Sequence, residues 1–253
     1  MITKSGITLF LLLSLFGCKE KSDNSQTIKY VRVNYENIND SLQNYFTTYE
    51  IEPQVIVNNV DQKQTKVSFL NHNIEWLESG TEPLVRIDNN LISLKQEVTL
   101  NNVWGNEVDS VNFANNWNQI KYFNFNDEEI IGIRMNYFPC TGLGCSIDYF
   151  LLYDLKRKTK SFFGTFRTDR ELKLYHLRNN SQIDYLSKTY NSGTDGVAKE
   201  IEIVYELYSL ADNGRFELQK DKQDKPYFIR HILPVEETSN GKETLEANWF
   251  EKF

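Results

Sequence analysis

Apolar and β-branched residues along this chain come in short runs, separated by clusters of Asn, Asp, Gly and Lys, at residues 28–35, 55–60, 66–70, 120–125, 130–138, 147–153, 161–166, 172–177, 183–190, 201–207, 215–218 and 227–233. Such runs with short polar connections predict β-strands joined as hairpins. The period of two is plainest where Ile201, Ile203, Tyr205 and Leu207 alternate with Glu202 and Glu206, giving a strand with one wet face. Ile147 to Leu155 differs, being apolar at nearly every position except Asp148 and Asp154. That pattern predicts a central strand covered on both sides.

One stretch has helical spacing. Leu42, Tyr45, Phe46 and Tyr49 recur on one face between Asp40 and Tyr49, with Asp40 as the expected cap, Gln43 three residues later and Pro53 beyond the end. Its aromatic stripe is a docking face for a sheet. A weaker turn is expected from Asp109 or Ser110, carrying Phe113 and Trp117. The predicted fold is all-β and antiparallel, a sandwich or curved hairpin meander with one short N-terminal helix.

A faint repeat gives an alternative. Tyr153, Asp154 and Leu155, a polar turn, then Ser161 and Phe162 match Tyr208, Ser209 and Leu210, a turn at Asp212 to Gly214, then Arg215 and Phe216. Repeated four-stranded units predict a small propeller-like array, although two copies fall short of the four blades a propeller needs.

The first residues follow a different logic. Lys4 and the amino terminus form a basic start, Ile7 to Phe16 an apolar run too short for the ~20 residues that span a bilayer, and Gly17 a small exit residue. Leu15, Phe16, Gly17 and Cys18 resemble the lipobox of bacterial lipoproteins, with Phe16 bulkier than the small residue usual before the glycine. The resemblance implies that Cys18 is acylated and becomes the first residue of an envelope lipoprotein. Acyl chains bury about 0.8 kcal/mol per methylene, which holds a chain on a bilayer without spanning it. The expected organisation is a signal peptide over 1–17, a flexible polar tether over 18–26 and one mainly-β domain over 27–253. Outer-membrane attachment, facing the periplasm or displayed at the surface, is the expected location.

An exported chain meets an oxidising compartment, so Cys140 and Cys145, four residues apart around Gly142 and Gly144, are expected to form a disulfide at a hairpin end. Closing so small a loop contributes about 2 kcal/mol and pins the loop rather than the domain. A redox pair would have two intervening residues and a following helix. A zinc site would need paired partners, and His72, His176 and His231 stand singly.

The net charge of −7 becomes one unit more negative when Lys4 leaves with the signal. With no basic stripe, nucleic acid is excluded as a partner. Lys156, Arg157, Lys158 and Lys160 read as a hairpin tip rather than a phosphate site. Asn191 to Gly196 looks like a calcium loop but lacks its alternating carboxylates, and Asp40-Ser41-Leu42 and Asp109-Ser110-Val111 match a short O-glycan acceptor pattern. Hydrolase, metalloprotease, phosphate-loop and dinucleotide motifs are absent, and no cofactor is expected. The acidic pairs Glu128 with Glu129, Glu236 with Glu237 and Asp221 with Asp224 read as loop residues. Aromatics make up 13% of the chain, including Trp76, Trp104, Trp117 and Trp249, a composition that fills a β core or stacks on sugar rings. The function expected is non-catalytic binding of an envelope protein or glycan at loops such as Pro139 to Ser146, the alternative being an envelope hydrolase of glycan or peptide acting through unidentified carboxylates.

Overall fold

The computed structural model describes residues 36–58, 65–79, 82–94, 117–137, 147–166, 171–178, 181–192, 200–234 and 242–251. In chain order the elements are α1 (Ile38–Thr48), β1 (Glu50–Ile51), β2 (Val55–Asn58), β3 (Lys66–Phe69), β4 (His72–Ser79), β5 (Glu82–Ile87), β6 (Asn90–Ser93), β7 (Trp117–Phe125), β8 (Glu128–Tyr137), β9 (Ile147–Asp154), β10 (Thr159–Phe166), β11 (Leu174–Tyr175), β12 (Asp184–Ser192), β13 (Glu200–Leu210), β14 (Phe216–Leu218), β15 (Phe228–Pro234) and β16 (Thr244–Asn248). Every pairing is antiparallel. The fold is all-β with one short helix.

The strands form three sheets. An outer sheet runs β3-β4-β5-β6, a middle sheet β10-β9-β8-β7-β2, and an inner sheet β1-β11-β12-β13-β15-β16 with β14 also on β13. Alternation then decides the stacking. Ile147, Tyr149, Leu151 and Tyr153 of β9 pack with Ile74, Trp76, Val85 and Ile87 of the outer sheet, while Phe150 and Leu152 pack with Leu174, Ile183, Tyr185 and Leu210 of the inner one. All eight residues of β9 are buried, as a strand covered on both faces requires.

Helix α1 closes the far side of the inner sheet. Ile38, Leu42, Tyr45 and Phe46 pack on Tyr175, Tyr205, Leu207 and Ile229, so the layers follow as outer sheet, middle sheet, inner sheet and helix. The expected cap at Asp40 is corrected: Asn37 caps the helix, its Oδ1 accepting the Asp40 N–H at 3.3 Å and its Nδ2 donating to the Asp40 carboxylate at 2.7 Å. Asp40 therefore fills the third helical position, where an acidic side chain answers the cap. At the other end of the chain, Trp249 Nε1 donates to Tyr45 Oη at 3.0 Å and seals the helix in place.

The two hairpins of the sequence repeat, β9-β10 and β13-β14, lie in neighbouring sheets and touch. Phe216 N donates to Ser161 Oγ at 2.8 Å. Gly214, at φ +78, sits so close that a Cβ there would meet the Arg157 Cβ at 2.8 Å. Gly132 plays a similar part inside β8, because a Cβ would lie 2.0 Å from Leu172 Cδ2. Segment 171–173 crosses the middle sheet at that point, and the buried Lys121 holds it by donating to the Leu172 carbonyl at 2.9 Å.

Candidate functional site

The expected binding loop joins β8 to β9. Residues 138–146, with Cys140 and Cys145, lie outside the described residues, as do Cys18, Trp104, Asp109 to Val111, Glu236 with Glu237 and residues 193–196. The stem of the loop is described: Tyr137 and Ile147 stand opposite each other in register. Just below, Arg134 donates to Asp148 Oδ1 from Nε at 3.1 Å and Nη2 at 3.0 Å. Asn136 Nδ2 donates to the same oxygen and Asn118 Nδ2 to Asn136 Oδ1. Beside them Gln119 Nε2 donates to Asn58 Oδ1 at 2.7 Å.

These side chains come from β2, β7, β8 and β9, and Arg134, Asn136 and Asp148 occupy the same face as Phe150, toward the inner sheet. One end of that interlayer is thus filled by apolar residues and the other by a hydrogen-bonded polar network. Asp148 is 3% exposed, a burial a carboxylate accepts only with donors around it. Two buried oxygens, Asn118 Oδ1 and Gln119 Oε1, find no donor among the described residues. Chemically the network is an arginine and an amide gathered on one carboxylate oxygen, an arrangement that fixes these side chains at the Tyr137–Ile147 end of the hairpin.

The second polar position of β9 behaves alike. Asp154 is buried and accepts from Arg157 N at 2.8 Å and Nη1 at 2.7 Å, while the same guanidinium grips Glu128 through contacts of 2.6 and 2.9 Å. Those hydrogen bonds from Arg157 hold the Glu128 carboxyl below its ordinary range. The basic run is indeed a hairpin turn, but Arg157 turns inward and Lys160 reaches the Ser93 carbonyl of the outer sheet. Sequence reasoning flagged Asp148 and Asp154 as exceptions and did not draw the consequence. An acidic residue in a strand covered on both faces calls for a cation, and Arg134 and Arg157 supply it.

The remaining candidates are separated. His72 opens β4 and meets the Asp88 carboxylate through Nδ1 at 3.0 Å. Burial pushes that carboxyl up, but hydrogen bonds from His72 and the Asn73 N–H outweigh it and leave Asp88 below its ordinary value. His176, expected in a strand, follows β11 instead and stacks on Phe125 with ring centroids 5.5 Å apart; burial pushes its pKa down. His231, 1% exposed, faces Glu243 through Nε2 at 3.2 Å. Among the described residues no group of His, Cys, Asp and Glu is arranged to hold a metal ion.

The acidic pairs divide as well. Tyr122 donates its hydroxyl to Glu129, and burial with that carboxylate pushes the phenol up to about 12. Asp221 accepts the N–H groups of Gln223 and Lys225, and Asp224 faces Lys220. A small recess of about 30 Å³ is lined by Phe150, Tyr175, Tyr185 and Leu186 together with Glu171, Lys173 and Lys188. Trp76 and Trp117 are core residues, 4% and 1% exposed, so these rings fill the β core rather than a sugar platform. No known protein family, curated protein or solved structure matches this chain.

Proposed function

We propose that this chain is a membrane-anchored envelope lipoprotein, held to the bilayer by an acylated Cys18, whose β domain binds an envelope protein or glycan at the 138–146 end of the middle sheet without catalysing a reaction. The observation that carries the binding reading is the buried Arg134–Asp148–Asn136 network under that stem. A loop displayed on a rigid scaffold binds with less ordering to make good, and buried hydrogen bonds at its base supply the rigidity. A Cys140–Cys145 disulfide would stiffen the loop itself.

Membrane fractionation of the Cys18→Ala variant tests the anchor: the protein is expected in the soluble envelope fraction, and its continued sedimentation with membranes would refute the reading. Thiol labelling of the exported protein is expected to find Cys140 and Cys145 blocked until reduction. A photo-crosslinker replacing Leu143 is expected to trap the partner in intact cells. The same group replacing Lys66, on the outer sheet, serves as control; equal yields from both positions would remove the 138–146 end as the binding site.

A further inference from the structure

The middle sheet covers one part of the inner sheet and leaves another open. On β13, Ile203, Tyr205 and Leu207 face the helix, while Tyr208 and Leu210 face the middle sheet. Alternation therefore turns Glu202, Val204 and Glu206 to the same side as Tyr208. Register sets Ile232, Arg230 and Phe228 of β15 beside them, with Glu246 of β16 next to Arg230. The cover reaches Tyr185 and Tyr208 through the Phe163 ring, at 4.3 and 4.9 Å between centroids. Beyond that row Val204, Phe228 and Ile232 are half-buried and join none of the three cores among the described residues. Solvent reaches them, since the neighbouring side chains of Arg230, Glu202 and Glu246 are 39%, 34% and 56% exposed.

Charge on this face is unbalanced. Arg230 lies over the Phe228 ring, 5.7 Å from its centroid, and donates to Glu246 at 2.9 Å, with Glu202 3.9 Å away. Glu206, beside Phe228 in register, meets no cation among the described residues. Three carboxylates against one guanidinium leave an excess of negative charge around three apolar side chains.

That combination narrows the occupant. A second copy presenting the same face would set carboxylates against carboxylates, and an anionic lipid surface would meet the same repulsion. A sugar ring would need the aromatic face that Arg230 already occupies. A peptide segment with lysine or arginine between apolar residues answers both features at once. We propose that the open face of the inner sheet is a docking surface for a basic amphipathic segment of another protein, its apolar residues seated on Val204, Phe228 and Ile232 and its cations on Glu206 and Glu202. This face belongs to a different sheet from the 138–146 stem, so the two readings stand or fall separately.

Methyl NMR of the exported protein, titrated with a short synthetic peptide alternating lysine and leucine, tests it. Saturable shifts are expected at the Val204 and Ile232 methyls, and none with the same peptide carrying glutamate in place of lysine. Glu206→Gln is expected to weaken binding about two- to fivefold, the worth of one exposed ion pair, while Glu75→Gln on the outer sheet leaves it unchanged. Val204→Lys, which sets a like charge at the centre of the face, is expected to weaken it about tenfold or more. Absence of a saturable shift, equal weakening by Glu206→Gln and Glu75→Gln, or equal binding of the glutamate peptide overturns the proposal. So does movement of the same methyls by a neutral oligosaccharide or an anionic vesicle but not by the lysine peptide.

Discussion

Asp148 and Asp154 interrupt the most apolar strand of the chain, and each is buried against an arginine from the element beside it. Removing one partner of such a pair leaves an uncompensated charge, which costs about 3–5 kcal/mol, whereas replacing both by apolar side chains is often neutral. Arg134→Met is therefore expected to lose that much in urea unfolding, and Arg134→Met with Asp148→Leu to recover most of it. A double variant no more stable than the single would show that the network is held by something other than its charges. Gly132 makes a second argument at this scale. A side chain at that position meets Leu172, so Gly132→Val is expected to lose about 1–3 kcal/mol, and adding Leu172→Ala to return part of it.

At the scale of elements, short apolar and β-branched runs located β7, β8, β9, β12, β13 and β15 within a few residues, because each has at least one face in a core. The outer sheet was not legible as a unit. Its inward positions Ile74, Trp76, Val85, Ile87, Ile92 and Leu94 do alternate. Between them Glu75 and Arg86 reach solvent, and with Glu78, Glu82 and Pro83 in the same stretch of sequence they dilute the pattern below what a linear scan resolves. Leu172 to Leu177 shows the opposite failure. Its apolar run predicts a six-residue strand, yet only Leu174–Tyr175 pairs, because Leu172 is committed to Gly132 and Leu177 to Asp184. The helix was legible from its aromatic stripe, but not its cap, since Asn37 precedes the periodic residues. Asn37→Ala is expected to cost about 1 kcal/mol, against a few tenths for Asn37→Gly, measured by thermal unfolding. Of the polar network under the 138–146 stem, only Asp148 carried a signal in the sequence. The register that brings Asn118, Arg134 and Asn136 to it depends on a shift between Trp117 and Gln119 that no local pattern encodes.

For the whole molecule, acid acts in two opposite senses. Asp184, raised by burial, adds stability as pH falls through about 6. Asp88 and Glu128, held low by His72 with Asn73 and by Arg157, contribute above their unfolded values of about 4 and lose that contribution as pH falls through their lower folded values. His176, lowered by burial, withdraws stability below its unfolded value of about 6.5 and works against Asp184, so urea unfolding is expected to change little between pH 7 and 5 and to fall below about 4 as Asp88 and Glu128 are protonated.

The seal between Tyr45 and Trp249 ties the beginning of the described chain to its end. Both termini leave from the helix side of the stack, while the outer sheet lies about 30 Å away across three layers spaced about 10 Å apart. A fluorophore carried at Glu251 would therefore report on α1, whose Tyr45 hydroxyl it meets, rather than on the outer sheet. A chain lacking Trp249 and Phe250 would leave the Tyr45 hydroxyl without the indole that donates to it, while the rest of the apolar face of α1 stays on the inner sheet. Truncation at the carboxyl end is thus expected to be felt first at α1, the opposite end of the described chain.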